Sequence, residues 1–179
     1  MTIKSILLVG NCVIDQIFTL SEFPSEDQEL RAESMSLAIG GNACNSAQIL
    51  AQLGFRVELV SSMEQDPDAQ WLIQQLDHRQ ISSGLCQHHA DGKTPRSYIW
   101  LNRQNGSRTI VHYRDLAELD LAHLEKIDPS RYQWIHFEGR NIETLLQLLP
   151  QWDNRAAPIS LEMEKNRPQL KKLLPYVST

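Results

Sequence analysis

The chain has 179 residues, 22 acidic and 17 basic, which gives a formal charge of −5, and 41% of its residues are apolar. Domains commonly contain about 100 to 200 residues, so this length allows one compact unit. The acidic balance and the lack of a Lys/Arg cluster argue against a nucleic-acid or anionic-membrane partner. The apolar run at residues 6–9 is too short for a membrane span of about 20 residues or for a signal-peptide core of roughly 7 to 15. We therefore expect a cytoplasmic protein that binds neither nucleic acid nor membranes.

The cysteine pattern indicates free thiols. Cys12, Cys44 and Cys86 are odd in number, widely spaced and form no C-x-x-C pair. Neither a disulfide framework nor a thiolate zinc site is indicated by such a pattern.

Four short apolar runs predict the strands of a parallel sheet. The first is a continuous run closed by Gly10, as expected for a strand that is buried on both faces. The runs are residues 6–9, 57–61, 134–137 and 159–163. Stretches with helical character lie between them, and this β-α-β-α alternation predicts an α/β fold.

Four helices are predicted, at residues 42–53, 68–79, 142–149 and 167–174. In the first, Ala43, Ala47, Leu50 and Ala51 share one face, and Gly54 stands at the stop position. Small side chains on that face permit a close approach to a sheet. Pro175 is expected to limit the last helix.

Two further segments do not fit the simple alternation. The connection between the first strand and the first helix is long and has partial strand character at residues 16–20 and 29–39. A hairpin is predicted from residues 97–101 and 108–113, with Asn105-Gly106 as its turn signal. Both faces of this hairpin are apolar. Either it packs on the main body, or it joins the earlier strands in a small β lid over a ligand or a second subunit.

The most informative stretch is Gly40-Gly41-Asn42-Ala43-Cys44-Asn45, which opens the first helix. Glycines let the backbone approach a ligand closely, and two asparagines three residues apart present donors and acceptors on one face. Vicinal hydroxyls of a polyol both give and take hydrogen bonds, so they suit such a pair. The simpler interpretation is a tight turn followed by an Asn42 N-cap.

Three other positions lie where parallel α/β sheets bind ligands, or close by. Asp15 follows the first strand and could accept sugar hydroxyls, or could simply be a turn residue. Arg108 after the hairpin turn could reach a substrate or phosphoryl group, or could be solvated. Glu138 follows another strand at its carboxyl end and could contact a ligand there. An ion pair with Arg140 explains this glutamate nearly as well.

Several common chemistries are excluded by pattern, since the chain has no G-x-x-x-x-G-K-[ST], G-x-G-x-x-G, H-E-x-x-H or G-x-S-x-G motif. His136-Phe137-Glu138 matches the H-x-E part of the zinc deaminase signature, but the P-C-x-x-C part of that signature is missing. His88-His89 lies in a predicted polar loop and is interpreted as solvated.

Four motifs in order resemble the ribokinase-like (PfkB) family of carbohydrate kinases, and within it the ketohexokinases. They lie at residues 9–15, 40–46, 106–110 and 134–141. The resemblance covers almost the whole chain. It implies a doubly wound, mostly parallel sheet with a small β lid, formed by segments at about residues 16–39 and 95–114, that closes over the sugar and often makes a homodimer contact.

The same resemblance implies residue roles. Asp15, Gly41, Asn42 and Asn45 would bind sugar hydroxyls, and Arg108 would lie near the substrate or phosphate. The implied reaction is ATP-dependent phosphorylation of a ketose or related sugar, with Mg²⁺ accompanying the nucleotide.

One departure from the family pattern matters. No D-T-x-G-A-G-D motif, which supplies the family's general base and anion hole, occurs in these 179 residues. Positioning, charge stabilisation and deprotonation all depend on such groups. We therefore expect residues 1–179 to be the N-terminal, substrate-binding part of a sugar kinase, incomplete at the C-terminus and inactive alone. A non-catalytic sugar-binding or regulatory remnant, or a Rossmann-like domain for another small ligand, are the alternatives.

Overall fold

The structure is a computed structural model that describes residues 5–152 and 157–178. Within these ranges the strands are β1 (Ser5–Val9), β2 (Val13–Leu20), β3 (Ser34–Gly40), β4 (Val57–Val60), β5 (Ser62–Glu64), β6 (Ile81–Ser82), β7 (Gln87–His89), β8 (Lys93–Asn102), β9 (Arg108–Asp115), β10 (Tyr132–Glu138) and β11 (Ile159–Glu162). The helices are α1 (Asn42–Gln52), α2 (Pro67–His78), α3 (Leu121–Leu124) and α4 (Ile142–Leu148), with 3₁₀ turns at Pro129–Arg131 and Leu170–Tyr176.

The large sheet is parallel and has the order β11-β10-β1-β4-β6, with β1 at its centre. Leu7 and Leu8 are both completely buried, because α1 and α2 cover one face of the sheet and α4 covers the other. A strand buried on both faces needs no polar residue, which explains the continuous apolar run of β1. The predicted α/β class with a parallel sheet is confirmed.

The small sheet has the order β3-β2-β8-β9 and combines both segments that did not fit the alternation. β2 pairs with β3 in antiparallel and with β8 in parallel orientation, and β8 forms the predicted hairpin with β9. Of the two alternatives for the hairpin, the structure therefore has the one in which it joins the earlier strands. Whether the small sheet acts as a lid stays a prediction.

Three local predictions were wrong. The segment predicted as a helix at residues 167–174 is a 3₁₀ turn at Leu170–Tyr176. Pro175 lies inside it and has no backbone N–H to donate to an α-helical ladder. The N-cap of α1 is Gly41, while Asn42 is already helical. His88 and His89 belong to β7, which pairs with β5 in a third, two-stranded sheet.

Across the described ranges, the longest helices are α1 and α2, and no helix is long and apolar enough to cross a bilayer.

Candidate functional site

A polar cleft of about 270 Å³ lies between the small sheet and the carboxyl ends of β1 and β10. The structure brings all five predicted site residues to this cleft: Asp15, Gly41, Asn42, Asn45 and Arg108. Ligands of open α/β sheets bind at this edge. Residues from three separate parts of the chain therefore line one concave surface.

Asp15 projects into the cleft from β2. It pairs with Ser97 of β8, whose hydroxyl hydrogen-bonds to the carboxylate. Burial raises the pKa of Asp15, although the Ser97 hydrogen bond and the charges of His112 and Arg108 oppose the shift. A Cβ placed on Gly40 would overlap the Asp15 carboxylate, so glycine at position 40 leaves the space that this side chain occupies.

The start of α1 forms the opposite wall. Gly41 has φ = 98°, and a Cβ there would overlap the Asn11 carbonyl, so this position requires glycine. That carbonyl accepts the Cys44 backbone N–H at 3.3 Å, which fixes the helix start against the end of β1. The Asn42 side chain is exposed, and its amide donates to Glu164 at 2.5 Å.

Asn45 lies one turn further along α1. Its side-chain oxygen accepts from Gln48 at 3.2 Å. Asn42 and Asn45 together present amide groups at the mouth of the cleft, as the three-residue spacing predicted.

Arg108 begins β9 and pairs with Leu101 across the hairpin. On the same face of β9, His112 pairs with Ser97, and its Nδ1 lies 3.3 Å from the Ser97 hydroxyl. Burial, followed by the charges of Arg114, Arg140 and Lys165, lowers the pKa of His112. Four cationic side chains, Arg108, Arg114, Arg140 and Lys165, therefore lie near His112 or near Asp15.

Six polar lining residues were not predicted as site residues: Asn11, Ser97, His112, Glu138, Glu164 and Lys165. Glu138 was expected at the ligand-binding edge of the sheet, with a Glu–Arg pair as the simpler explanation. The signal for Asn11, Glu138, Glu164 and Lys165 was available, since each lies at or just beyond the end of a strand of the large sheet. Ser97 and His112 could not be found this way, because they face the cleft through the parallel β2–β8 pairing, which short-range patterns do not predict.

Glu138 is buried at the end of β10. Its carboxylate accepts the Asn11 backbone N–H at 2.7 Å and lies 3.5 Å from the Arg140 guanidinium. Arg114 of the small sheet donates to the Asn11 side chain at 3.0 Å. Glu118 pairs with both Arg114 and Arg140. This network holds Asn11 and Glu138 in place at the floor of the cleft.

A larger groove of about 650 Å³ lies elsewhere, between α1 and the face of β10. Its walls are mainly apolar, including Ile49, Phe55 and Trp134. Its main polar cluster is Ser160, whose hydroxyl contacts Trp134 Nε1 at 2.8 Å and His136 Nδ1 at 2.9 Å. These groups satisfy one another, so the candidate site is the smaller, polar cleft.

In the described part of the chain, no three His, Cys, Asp or Glu side chains are grouped as a metal site would require. No magnesium ligands are therefore assigned among the described residues.

The chain is similar in sequence and in fold to known kinases. A model described as pfkB family carbohydrate kinase matches residues 3–179. The chain is 34% identical to mouse (Mus musculus) ketohexokinase over 97% of its own length and 61% of that protein. Among solved structures, Giardia lamblia ribokinase has a TM-score of 0.81 at 14% identity, with 98% of this chain and 56% of that chain covered. Xylella fastidiosa fructokinase with bound ATP has a TM-score of 0.71 at 19% identity, with coverage of 93% and 54%.

The chain belongs to the pfkB family of carbohydrate kinases. It spans about 60% of the length of the relatives named above. The structural likenesses, at less than 25% identity, bear on the fold, and they confirm the ribokinase-like class that the sequence motifs predicted.

Proposed function

We propose that this chain supplies the sugar-binding part of an ATP-dependent carbohydrate kinase that phosphorylates a hydroxyl of a ketohexose such as fructose. The observation that carries the proposal is the convergence of Asp15, Asn42, Asn45 and Arg108 on one polar cleft in a pfkB family chain. Carboxylate and amide groups recognise hydroxyls through paired hydrogen bonds. The ketohexose is proposed from the likeness to mouse ketohexokinase.

In the proposed complex, the Asp15 carboxylate accepts hydrogen bonds from sugar hydroxyls. Ser97 holds the carboxylate from the small sheet. Asn42 and Asn45 bind hydroxyls from the helix side, where a sugar hydroxyl replaces Glu164 as the partner of the Asn42 amide. Gly41 contributes by having no side chain at the cleft wall. The small sheet acts as a lid over the bound sugar.

ATP is the proposed phosphate donor, supported by the kinase family and by the ATP that the Xylella fructokinase structure holds. Mg²⁺ would accompany the nucleotide and screen its phosphate charges. The 179 residues contain no D-T-x-G-A-G-D motif, so the groups that deprotonate the hydroxyl and stabilise the transferring phosphoryl group are not assigned to any residue. The second candidate function is that of a non-catalytic sugar-binding or regulatory remnant. A cytoplasmic location also stays a proposal.

Calorimetric titration of the purified chain with fructose and a panel of other sugars tests sugar binding. Asp15→Ala and Asn42→Ala should weaken the binding of the preferred sugar about 10- to 100-fold, because a hydrogen bond that involves a charged group contributes about 1.5–3 kcal/mol and a neutral one somewhat less. Gln52→Ala at the far, exposed end of α1 and Asp77→Ala near the end of α2 are the matched controls. Binding that survives both site variants, or no binding of any sugar, would refute the proposal.

We also propose a homodimer through the small sheet, because the face of this sheet opposite the cleft carries exposed apolar side chains. Side chains alternate along strands, so the residues next to Asp15 and Ser97 point away from the site. That face carries the exposed side chains of Met35, Leu37 and Val111, each 44% or more exposed. Sedimentation of the chain, compared with Leu37→Glu, tests this contact. A monomer at every concentration would rule it out.

A further inference from the structure

The cleft contains two cationic side chains that form no ion pair among the described residues, Arg108 and Lys165. They reach the cleft from different sides, Arg108 from the first residue of β9 in the small sheet and Lys165 from the segment just after β11. Other arginines of the small sheet are paired. Arg103 lies 2.9 Å from Glu33, and Arg96 pairs with Asp68.

The carboxylates of the cleft, in contrast, all have partners. Glu138 accepts from the Asn11 N–H and lies beside Arg140. Glu164 accepts from the Asn42 amide. Asp15 has the Ser97 hydroxyl. Each carboxylate of the cleft therefore accepts a hydrogen bond, whereas Arg108 and Lys165 form no ion pair among the described residues.

Cationic side chains also lie close enough to act on the titratable groups of the cleft. Among the charges facing His112, those of Arg114, Arg140 and Lys165 lower its pKa, and only Asp15 acts to raise it. Arg108 in turn acts to lower the pKa of Asp15. An anionic group placed between the two sheets would meet several cations and would supply the partner that two of them lack.

We propose that Lys165, together with Arg108, binds the phosphate group of the phosphorylated sugar. This inference deepens the proposed function and rests on it. The sugar hydroxyls bind to Asp15, Asn42 and Asn45. The phosphate lies between Arg108 of the small sheet and Lys165, which follows β11. Lys165 is the new assignment, since neither its sequence context nor the family motifs singled it out.

The two cations have complementary chemistry toward a phosphate. A guanidinium offers a planar, bidentate set of donors, whereas an ammonium acts as a compact point charge. A hydrogen bond to a charged group corresponds to roughly a 10- to 100-fold change in affinity. Removing the Lys165 charge should therefore weaken phosphate recognition by about that factor and leave recognition of the uncharged sugar almost unchanged.

The test compares five probes on the 179-residue chain by calorimetry: fructose, fructose 1-phosphate, fructose 6-phosphate, inorganic phosphate and ATP. Lys165→Met removes the charge and keeps much of the side-chain length, and Lys165→Arg restores it. Lys126→Met, an exposed lysine after α3, is the matched control. Urea unfolding of each variant shows whether it keeps the native stability.

The expected result is that one fructose phosphate binds the native chain, that Lys165→Met weakens it about 10-fold or more, and that Lys165→Arg recovers most of the loss. Fructose affinity should change less than about 3-fold in every Lys165 variant. If fructose binds but Lys165→Met leaves both fructose phosphates unaffected, the phosphate site is refuted while the proposed function stands. Loss of ATP affinity alone would also refute it, because the phosphate would then belong to the nucleotide. Absence of binding by fructose and its phosphates would refute both.

Discussion

Gly10 directly follows β1, at the point where β1, β10 and α1 meet. Replacing it with alanine tests how closely these three elements pack there. A Cβ at Gly10 would lie 2.6 Å from the Glu138 Cβ and 2.7 Å from the Ala43 Cβ. Both neighbours are the first atoms of their side chains, so they can move only if the backbone of β10 or α1 moves. The clash therefore cannot be relieved by a change of rotamer.

Inserting one methyl group into a packed site of this kind costs about 1–3 kcal/mol. For a chain of this size, each kcal/mol lowers the melting temperature by roughly 2–4 °C, so Gly10→Ala should melt about 2–12 °C lower than the native protein. Urea unfolding followed by tryptophan fluorescence measures the same loss as a lower midpoint at constant slope. Sugar affinity should fall as well, because Glu138 and the start of α1 both form walls of the cleft.

Gly84→Ala is the matched control for this prediction. The nearest atom to a Cβ at Gly84 is the Ser82 hydroxyl oxygen, at 4.0 Å. With ordinary space around it, the added methyl should leave stability within about 0.5 kcal/mol of the native value. If Gly10→Ala and Gly84→Ala unfold at the same urea concentration, the close packing of α1 and β10 around Gly10 is wrong.

Four further outcomes are expected. Gly41→Ala should lower the free energy of unfolding by about 1–3 kcal/mol, because its positive φ and the Asn11 carbonyl disfavour a side chain; an unchanged urea midpoint would contradict this. Asp66→Ala should cost about 1–2 kcal/mol, measured in the same way, since it removes the N-cap acceptor of α2. Burial raises the pKa of Cys86 to about 12, so a thiol reagent at pH 8 should label it only after unfolding. The pKa of Asp15 is raised by burial. The folded state therefore holds its proton more tightly than the unfolded state, and the stability from this group should fall as pH rises from the unfolded to the folded pKa. Sugar affinity should fall as pH is lowered through that raised pKa, an effect that calorimetry should not find in Asp15→Asn.

The large sheet could be predicted from the sequence because its strands are buried on both faces. Such strands appear as continuous apolar runs, and the runs at residues 57–61 and 159–163 differ from β4 and β11 by a single residue at the end. The strand β6 was missed because it has only two residues, too few to form a pattern. The 3₁₀ turn at Leu170–Tyr176 was predicted as a helix because its apolar spacing is helical, and the spacing does not distinguish the two hydrogen-bonding patterns.

The site was predicted in part for a similar reason. Asp15 and Asn42 stand in short motifs next to elements with a clear pattern, so their place at one edge of the sheet followed from the topology of parallel strands. Ser97 and His112 depend on the pairing of β2 with β8, strands that are separated by about 80 residues in the register Ile14↔Arg96. No local pattern predicts a pairing over that separation, since the alternation of residues in each strand does not depend on which strand it pairs with.

Asn11 forms hydrogen bonds with side chains of both sheets. Its backbone N–H is held by Glu138 of the large sheet, and its side chain is held by Arg114 of the small sheet. Its carbonyl also fixes the start of α1 through Cys44. A movement of the small sheet relative to the large one must therefore break the Arg114 contact or carry Asn11 with it. In the second case, if the bond to Cys44 holds, the start of α1 moves too, and the residues proposed to bind the sugar would shift together.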